Sequence, residues 1–257
     1  MKRSLAILAA VCSLLVASCD VESERDVLQL KIYRYQSADQ EARLDQYLGS
    51  AYIPALHRAN INQVGVFKPV EEKSGEQQYI MVLIPFRSLQ EFDELPGILE
   101  KDIEYQDKGE DYIQSAHNDP PYDRIESIVL RAFSATPHLT VPDLDSPRSG
   151  RIYELRSYHA ATEQLYQRKV EMFNEGESAL FQKLGFNPVF FGEVLSSSQM
   201  PHLMYLTTHA DTASQKENWD AFRNHPDWLG MKELERYQHT VSHIDKFLLY
   251  PTEYSDY

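Results

Sequence analysis

Cysteine is almost absent from this chain, which holds only Cys12 and Cys19 among its 257 residues. Both stand near the amino terminus. We expect Cys12 to leave with a cleaved leader and Cys19 to carry lipid, so that no free thiol remains. Disulfide bonds, zinc–thiolate sites, iron–sulfur clusters and cysteine nucleophiles are then excluded from the mature domain.

A hydrophobic run long enough to cross a membrane is also missing. The apolar run at 5–17 is shorter than the about 20 residues that a transmembrane helix needs. It follows Lys2 and Arg3 and ends in the segment 15–19, LVASC, which resembles the lipobox of bacterial lipoprotein signal peptides. We therefore expect a signal peptide at 1–18, a tether at 19–26, and a cell-envelope protein anchored to the lipid bilayer through acylated Cys19.

Positive charge is scarce, because 25 basic residues face 39 acidic ones and the net charge is −14. Removing Lys2 and Arg3 with the leader lowers it from −14 to −16. Such a surface repels phosphate backbones, so we predict no nucleic-acid partner. Glycine-rich nucleotide motifs and H-E-x-x-H are absent as well, and no cofactor is predicted.

An internal repeat is present. Segment 28–33 (LQLKIY) matches 153–158 (YELRSY) at an offset of 125, and 62–67 matches 187–192 at the same offset. Segment 81–83 matches 204–206 at an offset of 123. Fixed spacing of this kind indicates two copies of one structural unit. We place the first repeat at 27–133, a proline-containing linker at 134–150 and the second repeat at 151–257.

Hydrophobic periodicity predicts the order β-α-β-β-α-β in each repeat. The elements expected in the first repeat are strands at 27–35, 62–70, 78–86 and 124–133, a helix from Ser37 to His57, a turn at 71–75, and a helical region at 88–117 broken near Pro96-Gly97. Those expected in the second are strands at 151–158, 187–195, 202–209 and 240–250, with helices at 162–184, 213–224 and 227–238.

This order predicts an α+β fold, with two tandem ferredoxin-like repeats paired as a dimeric α/β-barrel-type pseudo-dimer. Strand alternation puts Leu28, Leu30 and Ile32 on one face of the first strand, and we expect that face to pack under the helices. The opposite face would then line a closed space between the two sheets. On it we place the candidate pocket residues Lys31, Tyr33, Glu154, Arg156 and Tyr158.

Two features of the second repeat resemble the NIPSNAP family: the opening strand Y-E-L-R-S-Y at 153–158 and the segment from Trp219 to Trp228, WDAFRNHPDW. The first repeat matches in layout only, since Leu28 replaces the first tyrosine and both tryptophans lie in the second repeat. The resemblance implies a dimeric α/β-barrel protein. That superfamily contains cofactor-free monooxygenases, haem-degrading enzymes and domains without known activity, so the resemblance implies the fold more than any reaction.

Two interpretations of the charged pocket residues are open. Arg156 anchors an anion or carbonyl group, with Glu154 as its orienter or as a base and Tyr158 as a hydrogen-bond donor. Alternatively, Glu154 and Arg156 neutralise each other in a polar layer, because buried charges must be paired.

The aromatic segment of the second repeat adds Trp219, His225 and Trp228 as candidates for the pocket rim. Alternatively, its aromatic side chains hold a helix–turn–helix against the sheet, with Pro226 in the first turn of a restarted helix.

Histidines are frequent in the last third of the chain, but their spacing matches no known metal motif, so no metal site is predicted. A Ser-His-Asp hydrolase is rejected because no nucleophile elbow is present.

Three function classes remain. The leading prediction is a membrane-anchored module that binds a small, partly apolar molecule in the barrel. The alternatives are a cofactor-independent oxygenase-type enzyme that uses the same pocket, and a cell-envelope interaction scaffold whose barrel is only a core. A homo-oligomer is compatible with all three.

Overall fold

The computed structural model describes residues 24–70 and 77–257. Cys19, the signal peptide and the turn expected at 71–75 lie outside the described residues. The first repeat contains β1 (Val27–Tyr35), α1 (Ala38–Tyr47), α2 (Ile53–Arg58), β2 (Gly65–Pro69), β3 (Gln78–Phe86), α3 (Leu89–Lys101), α4 (Ile103–Lys108), α5 (Glu110–Ile113) and β4 (Arg124–Ala132).

The second repeat contains β5 (Ile152–His159), α6 (Glu163–Met172), α7 (Ser178–Lys183), β6 (Pro188–Ser196), β7 (His202–His209), α8 (Thr212–Asn224), α9 (Pro226–Lys232) and β8 (His243–Pro251). Short 3₁₀ turns lie at Arg148–Gly150 and Glu235–Tyr237. Among the described residues, no helix is long and apolar enough to cross a membrane.

The eight strands close into one antiparallel barrel in the order β1-β3-β2-β8-β5-β7-β6-β4. Each repeat contributes four adjacent strands in the ferredoxin-like order, and two seams join the repeats. At one seam β2 pairs with β8, and at the other β4 pairs with β6. The seams pair the outer strands that a separate ferredoxin-like sheet would leave open. The predicted pseudo-dimeric barrel is confirmed.

The barrel interior holds the aliphatic strand faces of both repeats. Its buried side chains include Leu28, Leu30, Ile32, Met81, Leu83, Tyr153, Leu155, Met204 and Leu206. The expectation that Leu28, Leu30 and Ile32 pack under the helices is therefore wrong. An eight-stranded barrel is just wide enough for side chains to fill, so its interior takes the more uniformly apolar face of each strand.

The opposite strand faces lie under the helices. Tyr33 packs with helix residues such as Tyr47 and Tyr52 in one core, and Tyr158 packs with Phe173 and Trp219 in another. These cores are rich in aromatic side chains and also contain buried charged groups such as Glu154, Lys169 and Glu177.

The helix starts follow the capping pattern in the sequence. The Ser37 side chain accepts a hydrogen bond from the Gln40 amide at 3.2 Å, and Thr162 does the same for Leu165 in the second repeat. Side-chain acceptors at these positions satisfy amides that have no partner inside the helix. Both repeats then pass through one π-helical turn, at Leu48–Tyr52 and Phe173–Glu177, where one continuous α-helix was expected.

The helical region of the first repeat breaks at a different place from the one predicted. α3 continues through Pro96, which is exposed, so water can satisfy the carbonyl group that loses its partner. The break falls at Asp102, whose carboxylate accepts from the Tyr105 amide at 2.9 Å and starts α4.

Candidate functional site

The predicted pocket residues of the second repeat form a closed cluster between β5 and α8. Glu154 is fully buried and accepts three hydrogen bonds: from Arg156 Nε at 2.6 Å, Gln215 Nε2 at 2.6 Å and Trp219 Nε1 at 2.7 Å. We call these four residues the Glu154 cluster. The Arg156 guanidinium also lies 3.7 Å from the centroid of the Trp219 ring.

The surroundings of Glu154 keep its carboxyl group ionised. Burial alone would raise the pKa of Glu154, but the positive charge of Arg156 and the hydrogen bonds from Gln215 and Trp219 outweigh it, so this pKa is lowered. Glu154 is therefore ionised and satisfied within the protein. This geometry agrees with the interpretation in which Glu154 and Arg156 neutralise each other, and because Glu154 is fully buried it is not exposed to a ligand.

Tyr158 belongs to an adjoining buried network. Its hydroxyl accepts a hydrogen bond from Tyr205 at 2.7 Å and lies 3.5 Å from Arg156 Nη1. Nearby, Lys169 donates to Glu177 at 2.6 Å, and both side chains are at most 5% exposed. Glu177 stands in the π-helical turn, and burial raises its pKa although Lys169 opposes this shift.

The three residues predicted at the pocket rim are distributed over the helix layer. Trp219 is buried in α8 and belongs to the Glu154 cluster, whereas Trp228 in α9 packs on Phe222 with ring centroids 4.6 Å apart. His225 caps α9, with its Nδ1 accepting from the Asp227 amide at 3.2 Å. These residues hold the helices together and do not line the barrel cavity described below.

The equivalent position in the first repeat is open. Lys31 aligns with Arg156 at the offset of 125, but Gln29 stands where the second repeat has Glu154, and its amide donates to Ser127 Oγ at 2.7 Å. Lys31 borders a cavity of about 460 Å³ between the sheet and α3, α4 and α5, which we call the Lys31 pocket. Its walls also include Tyr47, Tyr52, Tyr105 and Tyr112.

A larger cavity lies inside the barrel at one end, with a volume of about 510 Å³. We call it the barrel cavity. Residues of both repeats line it, with an apolar part made by Ile32, Tyr79, Met81, Ile128, Leu155, Met204 and Phe247 and a polar part made by Arg34, Glu126, Ser157, Ser196, Ser197, Ser198, Gln199, His202 and Asp245. The buried side chains of Phe67, Tyr153 and Tyr257 pack together deeper in the barrel core.

Beside the polar part runs a hydrogen-bonded chain of serine, histidine and aspartate. Ser157 Oγ lies 2.7 Å from His202 Nδ1 and 3.1 Å from His159 Nε2. The rings of His159 and His202 are stacked with centroids 4.8 Å apart. Asp245 bonds His159 Nε2 at 2.9 Å and His243 Nε2 at 2.9 Å.

This chain is not arranged as a catalytic triad. His159 uses the same ring nitrogen, Nε2, toward both Ser157 and Asp245, whereas a triad base bonds the serine and the carboxylate through opposite nitrogens. His202 bonds Ser157 and Ser197, and burial together with the charge of His159 lowers its pKa to about 4. A base this weak activates a serine poorly at neutral pH. The described residues contain no group of three side chains placed to hold a metal ion.

Sequence reasoning missed most of the barrel cavity. Its polar residues stand at strand ends, where alternation along any single strand does not show that they meet across the barrel. One local signal was available, since His243 and Asp245 are two residues apart and share a face of one strand.

Comparison with known proteins supports the fold. The barrel superposes on a candidate monooxygenase from Fusobacterium nucleatum with a TM-score of 0.57 and 7% identity, over 89% of this chain and 93% of that one. A candidate monooxygenase from Lactobacillus acidophilus gives 0.58 and 8% over 89% and 94%, and an anthrone oxidase-like protein gives 0.52 and 10% over 90% and 93%. At such identities the likeness shows the fold alone.

No curated protein matches the chain in sequence. Residues 153–256, which contain Tyr153, the Glu154 cluster and Trp228, match the model of the NIPSNAP family. The second repeat of this chain is therefore a NIPSNAP domain, set in a dimeric α/β-barrel fold that both repeats build together.

Proposed function

We propose that the protein binds a small, partly apolar molecule in the barrel cavity. The observation that carries this proposal is the cavity itself, since about 510 Å³ falls within the size range of small-molecule sites. Its apolar part takes the body of a ligand, and the serines and histidine on the other side supply hydrogen bonds that orient it.

Binding fits the side chains of the cavity better than catalysis does. His202 is a weak base and is bonded to two serines. His159 bonds Ser157 and Asp245 through the same ring nitrogen, so neither histidine is placed to act as the base of Ser157. Arg34 and Glu126 are paired with each other at the mouth. A scaffold whose barrel is only a core needs no such space, so an interior with a cavity favours a ligand-binding role over that alternative.

Native mass spectrometry of the protein purified from its own host tests this proposal. We expect a small molecule that stays bound through gentle desolvation. Ile128→Trp fills the cavity from β4 and should remove that molecule, whereas Ile125 is exposed on the opposite face of the same strand, so Ile125→Trp should not. Wild-type protein that carries no ligand, or equal retention by both variants, would contradict the proposal.

We also propose that lipid on Cys19 holds the barrel close to a membrane of the cell envelope. The lipobox-like segment at 15–19 supports this. Arg25 already bonds the Ala132 carbonyl and Glu193, so about six residues separate Cys19 from the barrel. Such a tether spans at most about 20 Å.

Fractionation of cells tests the anchor. Cys19→Ala should move the protein from the detergent-extractable membrane fraction to the soluble fraction, while a Cys12→Ala control stays with the membrane. A Cys19→Ala protein that remains in the pellet after a high-salt wash would show that another feature holds it there.

A further inference from the structure

Lys31 is a partly buried cation without a counter-charge in the part of the chain that the structure describes. Its ammonium lies 5.1 Å from the centroid of the Tyr33 ring and 4.9 Å from that of Tyr52. No described residue forms a hydrogen bond or an ion pair with it. Aromatic faces attract a cation, but they replace only part of the hydration that burial removes.

Comparison of the two repeats identifies the counter-charge that Lys31 lacks. At the matching position Arg156 has Glu154 as a buried partner and Trp219 as a cover. In the first repeat the acid is replaced by Gln29, which is neutral and already bonded to Ser127. The first repeat therefore keeps the cation and loses the anion, and a cavity of about 460 Å³ adjoins the ammonium.

We propose that the Lys31 pocket binds an apolar carboxylate, whose charge supplies the anion that Glu154 supplies in the second repeat. The aromatic side chains of Tyr47, Tyr52 and Tyr112 would contact the apolar body of this ligand. This site is separate from the barrel cavity, because it lies on the other face of β1.

A single negative charge suits the site best. One ammonium neutralises a carboxylate, whereas a phosphate dianion would bring a second, unpaired charge into an aromatic pocket. The Tyr47 and Tyr105 hydroxyls lie 2.9 Å apart, and only one of their two protons is used between them, so the other can donate to a ligand oxygen. Asp93 and Glu100 also border the pocket, but they are exposed, where solvent weakens their repulsion of an anion.

The lowered pKa of Lys31 supports the same conclusion. Burial lowers the pKa of Lys31 to about 8, so the free protein holds this ammonium less firmly than an exposed lysine would. A bound carboxylate favours the charged form and should raise that pKa again.

The probe is 4-phenylbutyrate, titrated into the full-length chain at pH 7 by isothermal calorimetry, with 4-phenylbutan-1-ol as its uncharged counterpart. We expect one saturable site for the carboxylate and binding of the alcohol weaker by about tenfold or more. Lys31→Met should weaken carboxylate binding by a similar factor, and Lys31→Arg should keep it within a few-fold.

Two further variants separate this site from others. Gln29→Glu installs the acid of the second repeat beside Lys31 and should weaken binding as much as Lys31→Met does. Lys246→Met removes an exposed lysine of β8 and should change nothing.

The proposal is overturned if no saturable binding occurs, if the alcohol binds as well as the carboxylate, or if Lys31→Met and Lys246→Met behave alike. Ile128→Trp should not affect the carboxylate, so a loss of binding there alone would place the ligand in the barrel cavity instead.

Discussion

One substitution made at matching positions of the two repeats should have effects of opposite sign. Arg156→Met leaves Glu154, which is 0% exposed, with the hydrogen bonds from Gln215 and Trp219 but without the cation that neutralises it. Stranding a buried carboxylate in this way costs about 3–5 kcal/mol of unfolding free energy. Glu154→Gln in the same chain should recover most of that loss, because a neutral amide needs no counter-charge.

Lys31→Met should instead stabilise the protein at pH 7. The folded-state pKa of Lys31 is about 8 against 10.5 in the unfolded chain, and this gap corresponds to a penalty of about 3 kcal/mol at pH 7. Because the folded pKa is the lower one, the unfolded state binds more protons between pH 8 and 10.5, and wild-type stability recovers as the pH rises through that window. The advantage of Lys31→Met should therefore shrink toward pH 10.5.

Urea denaturation of both single variants and of the Arg156→Met, Glu154→Gln double variant measures these effects, provided that the m-values stay unchanged. Wild type and Lys31→Met should be compared at pH 7 and pH 10, since the tyrosine ionisations common to both then cancel. Destabilisation of similar size by Arg156→Met and Lys31→Met would refute the assignment of one site as closed and the other as open. A double variant no more stable than Arg156→Met would refute the role given to Glu154.

Further effects concern acid, domain truncation and a second buried pair. Burial lowers the pKa values of His202 and His209 to about 4, below the unfolded value of 6.5. The free energy of unfolding should therefore fall as the pH drops from 6.5 to 4, and urea midpoints at pH 5 and pH 7 will measure this fall. The fragment 151–257 loses both seams and should dimerise on size-exclusion chromatography, and a stable monomer would count against mutual packing of the repeats. Lys169→Met should cost about 3–5 kcal/mol by stranding Glu177, and thermal melts that match wild type would contradict that ion pair.

The repeated architecture could be predicted because it depends on local patterns. Alternation in β1 and β5 correctly grouped Lys31 with Tyr33, and Glu154 with Arg156 and Tyr158, on one face of each strand. The capping side chain of Ser37 marked the start of α1. These signals lie within a few residues of one another, so a single sequence is enough to show them.

Alternation alone could not decide which face of each strand lines the barrel interior and which lies under the helices. A period of two fixes which residues share a side, but both sides of β1 carry large side chains. The deciding factor is the partner on the helices: Gln215 and Trp219 lie about sixty positions from Glu154, and only the fold brings them to it. The barrel cavity escaped prediction for the same reason, because its lining comes from both repeats.

The family match is confined to the second repeat, which is also the repeat that holds the Glu154 cluster. Both repeats have the same order of strands and the same π-helical turn, yet only 153–256 match the NIPSNAP model. Glu154, Arg156 and Trp219 lie within the matched range and form the buried cluster that closes one site. The first repeat keeps the fold through hydrophobic alternation but has Gln29 in place of the acid. Two copies joined in one chain are free to differ in this way, whereas a symmetric homodimer would have two identical sites.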